Sequence, residues 1–220
     1  MRLLKLALRG GAAAALLLVI TASQAAAHPH VWIKTEIEVL YNQDKAITGF
    51  QEKWTFDVMY TAFAIQGLDK NKDGKYDRKE LQELAKVNIN ALKEFQYFTY
   101  PKIGKDVVKK LQPESYWMEH NNGKLSLTFK LALAEPIPYG KLANFSFAVY
   151  DPTFYIELSY SQDNPVRLVA APKGCAPKIK APPPQKVSVQ SLSESFFQKL
   201  SPTSDMAAGY ANTVRIACPR

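Results

Sequence analysis

The segment 69–80 carries the residues best suited to bind a metal ion. Its acidic and amide side chains follow the spacing D-x-[DN]-x-[DN]-G-x₅-E of a calcium-binding loop. Calcium takes six to eight oxygen ligands, and this spacing wraps side-chain and backbone oxygens around one ion. Gly74, at position 6, permits the sharp turn that the loop requires. We therefore predict a Ca²⁺ site formed by Asp69, Asn71, Asp73, the Lys75 carbonyl, Asp77 and Glu80.

The loop has no second copy in the sequence, although EF-hand loops usually work in pairs. Position 8 is Tyr76, where an aliphatic residue normally pairs with the partner loop. A lone loop opens less on binding, so we expect a structural calcium site rather than a sensor. The alternative is a degenerate loop that binds no ion.

A second candidate metal site depends on where the chain is cut. Residues 1–27 have the layout of a secretory signal peptide, with Arg2, Lys5 and Arg9 before a short apolar run. Ala25 and Ala27 supply the small residues of a cleavage site. Cleavage there would make His28 the first residue. We expect export to the periplasm and no integral membrane segment in the mature protein.

Processing at this point would create a free α-amine beside two imidazoles, His28 and His30. Neutral imidazole is the commonest ligand of transition metals. Pro29 lacks the amide that a square-planar copper or nickel site would use. An inward-facing His120 would complete a three-nitrogen site suited to zinc. The alternative places the first two rings in solvent and makes His120 a hydrogen-bonded core residue.

The elements around these residues are mostly strands. Asn122-Gly123 predicts a hairpin turn, and counting back from it pairs His120 with Leu125, so the His120 ring should point inward. We predict an α+β fold: an antiparallel β-rich domain, an inserted EF-hand-like helical hairpin and a C-terminal tail. Period-two patterns predict strands at 31–41, 46–56, 115–120, 124–132, 145–149, 154–160 and 167–171, and helical patterns cover 57–68 and 78–95.

The C-terminal part has a different composition. Prolines after residue 171 predict an extended connector, and Ser191-Leu-Ser-Glu194 predicts a capped short helix. Cys175 and Cys218 most simply form a disulfide in an oxidising compartment; free thiols or a metal site are the alternatives. The predicted organisation is a signal peptide at 1–27, a β-rich domain at 28–171 with the insertion at about 57–95, and a connector with its tail at 172–220.

Composition excludes several classes of function. The net charge of +8 comes from scattered lysines rather than a basic stripe, so no nucleic-acid partner is expected. No G-x-S-x-G motif is present and the cysteines are accounted for, so we expect a protein that is not an enzyme.

Four motifs occur in an order that resembles one family. They are His28-Pro-His30-Val-Trp32, Trp54-Thr-Phe56-Asp57, Leu68 to Gly74 and Tyr150-Asp151-Pro-Thr153. Together they resemble the bacterial periplasmic family called domain of unknown function 1007. The resemblance implies a periplasmic component of a transport system that works with an inner-membrane permease of nickel/cobalt type, with zinc as one suggested cargo.

The same resemblance makes Asp57 and Asp151 candidate metal ligands alongside His28, His30 and His120. Asp57 could instead cap the first helix of the insertion, and Asp151 could organise a turn. The expected function is metal binding for a transition-metal transporter, with Ca²⁺ and with Zn²⁺, Ni²⁺, Co²⁺ or Cu²⁺. Two alternatives stay open. The first is a module that is stabilised by bound calcium and docks on a transporter, and the second is a copper oxidase whose copper is bound by a histidine brace that includes the N-terminal amine of His28.

Overall fold

The protein is built from two β-sheets with a helical insertion after the second strand. In the computed structural model, residues 29–219 are described; the predicted signal peptide and His28 lie outside this range. The strands are β1 (Val31–Tyr41), β2 (Ile47–Phe56), β3 (Thr99–Ile103), β4 (Asp106–Val107), β5 (Leu111–Asn121), β6 (Lys124–Ile137), β7 (Phe145–Val149), β8 (Ile156–Tyr160), β9 (Val166–Val169), β10 (Ala176–Lys180) and β11 (Thr213–Ala217). The α-helices are α1 (Val58–Ala64), α2 (Gln82–Leu92) and α3 (Glu194–Phe197), and shorter helical turns cover Lys93–Phe98, Tyr139–Asn144, Val189–Ser191 and Met206–Tyr210.

The first sheet has the order β5-β6-β2-β1-β8, with β9 also paired to β1. Its hairpins are antiparallel, as the sequence predicts, and His120 pairs with Leu125. The first sheet is antiparallel except at β8 and β9, which both run parallel to β1. Parallel pairing requires a long crossover connection, which the chain between β1 and β8 supplies.

The second sheet has the order β10-β11-β7-β3-β4, so both strands of the C-terminal segment, β10 and β11, belong to it. β11 pairs with β7, so the tail is an integral part of this sheet. Cys175 and Cys218 form the predicted disulfide, which joins the start of β10 to the end of β11. The sequence patterns do not predict β3, β4, β10 or β11, because each is short or contains proline.

The core lies between the two sheets. Phe50 of β2 and Phe147 of β7 meet across the interface with ring centroids 5.1 Å apart. Trp54 packs edge-on against Phe129 of β6. Each fully buried apolar side chain of this size contributes about 1.5–3 kcal/mol. The alternating apolar positions of β1 and β2 therefore fix which face of the first sheet is covered.

The helices are shorter than the sequence patterns predict. α1 ends at Ala64, before the acidic loop begins, and α2 starts at Gln82. After α2 the chain turns in a left-handed conformation, with positive φ at Gln96, Tyr97 and Phe98. Left-handed backbone costs roughly 1–2 kcal/mol per residue outside glycine, so surrounding contacts must hold this turn. In the tail, Ser193 rather than Ser191 precedes the short helix α3.

No helix among residues 29–219 has both the length and the apolar character needed to cross a membrane.

Candidate functional site

The acidic loop 69–80 is closed by hydrogen bonds from its own backbone. The amides of Asp73 and Gly74 donate to the two Asp69 carboxylate oxygens at 3.2 and 3.0 Å. At the other end, Glu80 reaches back and accepts a hydrogen bond from the Lys70 amide at 2.9 Å. The first and last residues of the predicted ligand set are thus held in one compact loop.

The remaining predicted ligands follow the same pattern. Asn71 Oδ1 accepts from the Asp73 amide at 2.9 Å, and Asp77 Oδ1 accepts from the Glu80 amide at 2.8 Å. Gly74 has φ +77°, a conformation that favours glycine. Among residues 29–219, no three His, Cys, Asp or Glu side chains converge on one point as metal ligands would. The oxygen donors fit calcium in chemical type, although here they accept hydrogen bonds from backbone amides.

The helices on either side hold the loop against the first sheet. Thr61 of α1 accepts a hydrogen bond from the Leu125 amide of β6 at 3.0 Å. Leu81, Ala85 and Ile89 are buried against the sheet. The loop therefore projects from a fixed base.

Strand β5 contacts the loop with both of its faces. On one face, the rings of Tyr76 and His120 meet edge-on with centroids 5.0 Å apart. On the other, the Arg78 guanidinium lies 5.0 Å from the Trp117 ring centroid and its Nε donates to Glu119 at 3.2 Å. The hydrogen bond from Arg78 holds the pKa of Glu119 below its usual range. An edge strand thus occupies the side of the loop where a partner loop would pair.

His30 lies at the start of β1, next to β8. Its amide donates to the Tyr155 carbonyl at 2.8 Å, and its exposed ring lies 4.6 Å from the Tyr155 ring, centroid to centroid. The two contacts fix the backbone and the ring environment of this residue. His28, the other N-terminal candidate, lies outside the described residues.

Asp57 lies close to this end of β1, but its carboxylate accepts hydrogen bonds from backbone amides. Its Oδ1 accepts from the amides of Met59 and Tyr60, which makes it the N-cap of α1. Its Oδ2 accepts from the Trp32 amide at 3.1 Å. The capping alternative therefore describes Asp57, and its contact with Trp32 ties the insertion to the strand that carries His30.

Asp151 is buried and also organises backbone near the same end. Its Oδ1 accepts from the amide and hydroxyl of Thr153, and its Oδ2 accepts from the Ile156 amide at 2.9 Å. These bonds shape the turn into β8, in which Phe154 has φ +58°. The turn alternative therefore describes Asp151 as well.

A half-open cleft of about 380 Å³ lies beside these residues. Its lining includes Pro29 and Asp151, together with Val189 and Tyr210 of the C-terminal segment. Cavities of this size are typical of small-ligand sites. Pro29, the first described residue, is part of the cleft lining.

The structure does not bring His120 to this site. β6 and β2 separate β5 from β1 in the sheet, which corresponds to three strand spacings, or roughly 14 Å. His120 instead lines a shallow cavity with loop residues Asp73 and Asp77. The sequence placed His120 on the correct face of the sheet, but it could not supply the strand order.

One buried carboxyl group is not among the residues that the sequence predicts to be functional. Glu52 of β2 has no exposed surface, and burial raises its pKa to about 7. Its Oε2 accepts a hydrogen bond from Trp54 Nε1 at 2.8 Å. The alternation of β2 contains the signal, because Glu52 lies on the same face of the strand as the buried residues Phe50 and Trp54.

Comparisons with known proteins agree with the ordered motifs. The family model described as "Protein of unknown function (DUF1007)" matches residues 13–218. An "Uncharacterized protein" of Haemophilus influenzae is 28% identical over 156 residues, covering 71% of this chain and 74% of the relative. An "Uncharacterized 15.5 kDa protein in trpE 3'region" of Spirochaeta aurantia is 28% identical over 104 residues, covering 47% of this chain and 73% of the relative. Because the family model spans nearly all the described residues, this chain belongs to the DUF1007 family.

Proposed function

We propose that this protein is a periplasmic, non-catalytic metal-binding accessory of a transition-metal transport system, with Ca²⁺ bound in the loop 69–80. His28 and His30 bind the transported ion, with Zn²⁺ as the expected metal and Ni²⁺, Co²⁺ or Cu²⁺ as alternatives. An inner-membrane permease receives it. The disulfide supports an oxidising compartment.

The observation that carries this proposal is the anchoring of the N-terminal strand beside the cleft. The His30 amide is bonded to Tyr155 and the Trp32 amide to Asp57. Because these contacts hold the backbone at His30 before an ion binds, less ordering is needed at this ligand, and such pre-organisation raises affinity. Asp57 and Asp151 act here as positioning residues.

The calcium part of the proposal rests on the donor set of the loop. Five oxygen-bearing side chains and one backbone carbonyl lie within twelve consecutive positions. Ca²⁺ would offset two of the four negative charges that the carboxylates of this loop carry. Modules exposed to extracellular calcium bind it at about 10⁻⁴–10⁻³ M, and we expect the same range here.

The decisive experiment is native mass spectrometry of the processed protein that begins at His28, titrated with Zn²⁺, Ni²⁺, Cu²⁺ and Ca²⁺. We expect one transition-metal ion and one calcium ion per chain. A single residue added before His28, or the substitution His30→Ala, should remove the first ion and leave the second. His120→Ala is the matched control for the first ion and should leave that ion bound. Binding of calcium alone would refute metal capture by the N-terminus.

A second candidate function is a docking module, and the surface of α1 favours it. Val58, Met59 and Phe63 of this short helix are 57%, 80% and 73% exposed. Trp32, bonded to the first residue before the helix, is half exposed as well. In this reading the calcium loop orders α1 as a surface for the transporter, and the histidines are incidental.

Metal uptake in cells separates the two candidates. Under the first candidate, the double variant His28→Ala, His30→Ala abolishes uptake. The double variant Met59→Gln, Phe63→Gln still binds the ion in solution. Under the second, the histidine variant transports normally and the α1 variant does not. The copper-oxidase alternative requires copper-dependent oxygen consumption, and it no longer has His120 near the N-terminus as its additional ligand.

A further inference from the structure

The buried carboxyl of Glu52 lies in the centre of the first sheet, away from both candidate metal sites. Its register partners are Ile37 on β1 and Phe129 on β6, and both are buried apolar residues. A carboxylate in such surroundings is strongly disfavoured unless it is paired with a cation. Within residues 29–219, no basic side chain is hydrogen-bonded or ion-paired to it, and its polar partners are Thr99 and Trp54.

The contacts of Thr99 indicate that the Glu52 carboxyl group carries a proton. The Thr99 hydroxyl oxygen lies 2.7 Å from Glu52 Oε1 and 3.0 Å from the Tyr97 carbonyl oxygen. A hydroxyl has a single proton to donate. The carbonyl can only accept, so both contacts are hydrogen bonds only if the Glu52 carboxyl carries a proton and donates it to Thr99. A protonated Glu52 therefore satisfies all three groups.

The end of this relay is the left-handed turn that follows α2. Gln96, Tyr97 and Phe98 have φ values of 51°, 56° and 53°. Three successive non-glycine residues in this region persist only when their surroundings hold them there. The hydrogen bond from Thr99 to the Tyr97 carbonyl is one such contact. The next carbonyl, that of Phe98, accepts a hydrogen bond from the Tyr150 amide at 3.0 Å, and Tyr150 lines the cleft.

We propose that Glu52 is a pH-sensitive switch: protonated, it holds the turn 96–98 through Thr99, and its ionisation releases that turn. When the carboxyl loses its proton, the Thr99 hydroxyl turns its own proton towards the carboxylate, and the Tyr97 carbonyl loses this donor. The strained turn then relaxes, and the wall of the cleft at Tyr150 loosens with it. The switch itself does not depend on metal binding.

The other groups around Glu52 also favour its neutral, protonated form. From β8, Tyr160 faces it, and the buried Tyr160 hydroxyl has no hydrogen-bond partner among residues 29–219. Burial raises the pKa of Tyr160, and a negative charge on Glu52 raises it further. From the turn, Tyr97 is neutral because burial raises its pKa. From β1, Thr35 carries no charge. Burial raises the pKa of Glu52 to about 7, so the proton would be exchanged near neutral pH.

Hydrogen exchange of the intact mature protein tests the switch. Exchange of the peptide covering 96–100 is followed from pH 5.5 to 8.5 and corrected for the intrinsic pH dependence of amide exchange. We expect protection in the wild type to fall at least tenfold as the pH passes through 7, with a smaller fall at 150–156. The hairpin at 120–125 is the internal control and should not respond.

Two pairs of variants locate the effect. Glu52→Gln places an amide donor where the neutral acid stands, so its turn should stay protected at every pH. Thr99→Ser keeps the relay and the pH response, whereas Thr99→Val removes both. Equal pH responses in the wild type and Glu52→Gln, or in the two Thr99 variants, would overturn the proposal.

Infrared spectroscopy of the wild type labelled with ¹³C-glutamate provides a readout that needs no variant. A protonated carboxylic acid has a carbonyl band distinct from that of a carboxylate. We expect one such glutamate band at pH 6, disappearing as the pH rises towards 8. Its absence at pH 6 would show Glu52 to be ionised and would overturn the switch. The result leaves metal binding at the N-terminus untouched, so the two proposals fail separately.

Discussion

Tyr76 in the acidic loop and His120 on strand β5 lie with their rings edge-on, 5.0 Å apart between centroids. Tyr76 occupies the loop position that normally pairs with a second loop. The strand β5 supplies this contact instead, and Arg78 two residues further on contacts the opposite face of the same strand. The acidic loop is therefore supported by the first sheet.

Removing the Tyr76 ring should weaken calcium binding. An aromatic pair is worth about 0.5–1.5 kcal/mol, so we expect Tyr76→Ala to lower the affinity for Ca²⁺ by about 2- to 10-fold. Tyr76→Phe keeps the ring and should bind like the wild type. Isothermal titration calorimetry measures both. Unchanged affinity in Tyr76→Ala would show that β5 does not support the loop.

Stability should fall as the pH rises towards neutrality because of Glu52. Its pKa is raised from 4.5 to about 7 in the folded protein, so the folded state binds this proton more tightly than the unfolded state does. The contribution is complete below about pH 4.5 and is lost as the pH rises through 7, a change of about 3 kcal/mol. Urea denaturation at several pH values measures it.

The control for that pH dependence is a pair of glutamine substitutions. Glu52→Gln should flatten the curve between pH 4.5 and 7, whereas Glu135→Gln, at an exposed position, should leave it unchanged. A wild-type stability that rises across this window would contradict the assignment.

Asp57 should matter for stability more than for metal binding. Asp57→Ala removes the N-cap of α1 and the bond to the Trp32 amide, and loss of a cap costs about 0.5–2 kcal/mol. Asp57→Ser keeps a capping oxygen and should recover part of the loss. Thermal unfolding measures the stability and native mass spectrometry the bound metal. Loss of the metal without loss of stability would make Asp57 a ligand after all.

Reduction of the disulfide should destabilise the second sheet. Cys175 and Cys218 are 43 residues apart, and the chain-entropy estimate for a loop of this length is about 4 kcal/mol. The double substitution Cys175→Ser, Cys218→Ser should lower the melting temperature by the same amount as adding reductant to the wild type. A reductant effect that persists in the double variant would point away from the disulfide.

Gly49 should resist substitution because β2 and β6 approach closely there. A Cβ atom at this position would collide with the Leu131 carbonyl oxygen, so Gly49→Ala must displace backbone and should cost about 1–3 kcal/mol. Gly140→Ala is the control, because a methyl group added at Gly140 would have no described atom within 4 Å. Equal unfolding free energies for the two variants would contradict this packing.

The sequence predicted the local features of this protein well. The alternation of apolar residues located β1 and β2, and Asn122-Gly123 fixed the register of the β5–β6 hairpin. The two cysteines predicted the disulfide. These features depend on neighbours in the chain or on a single pairing choice, so local patterns contain the needed information.

The same patterns failed where long-range contacts decide the structure. The tail between Cys175 and Cys218 contains two strands, but their partners are β7 and each other. The helical pattern after Leu92 ends in a left-handed turn that core contacts hold against local preference. Short strands with proline have no clear pattern of their own, so their pairing cannot be read from composition.

By itself the sequence determined the family motifs, the oxygen ligands available in the acidic loop and the inward side of each long strand. Only the tertiary structure decided which of these residues meet. Strand order separates His120 from His30 and sets it against Tyr76. Packing of the two sheets encloses Glu52 beside Thr99, 47 residues away in the chain. The physical reason is that a side-chain pattern specifies a face, whereas the proximity of two faces depends on how distant strands pair and pack.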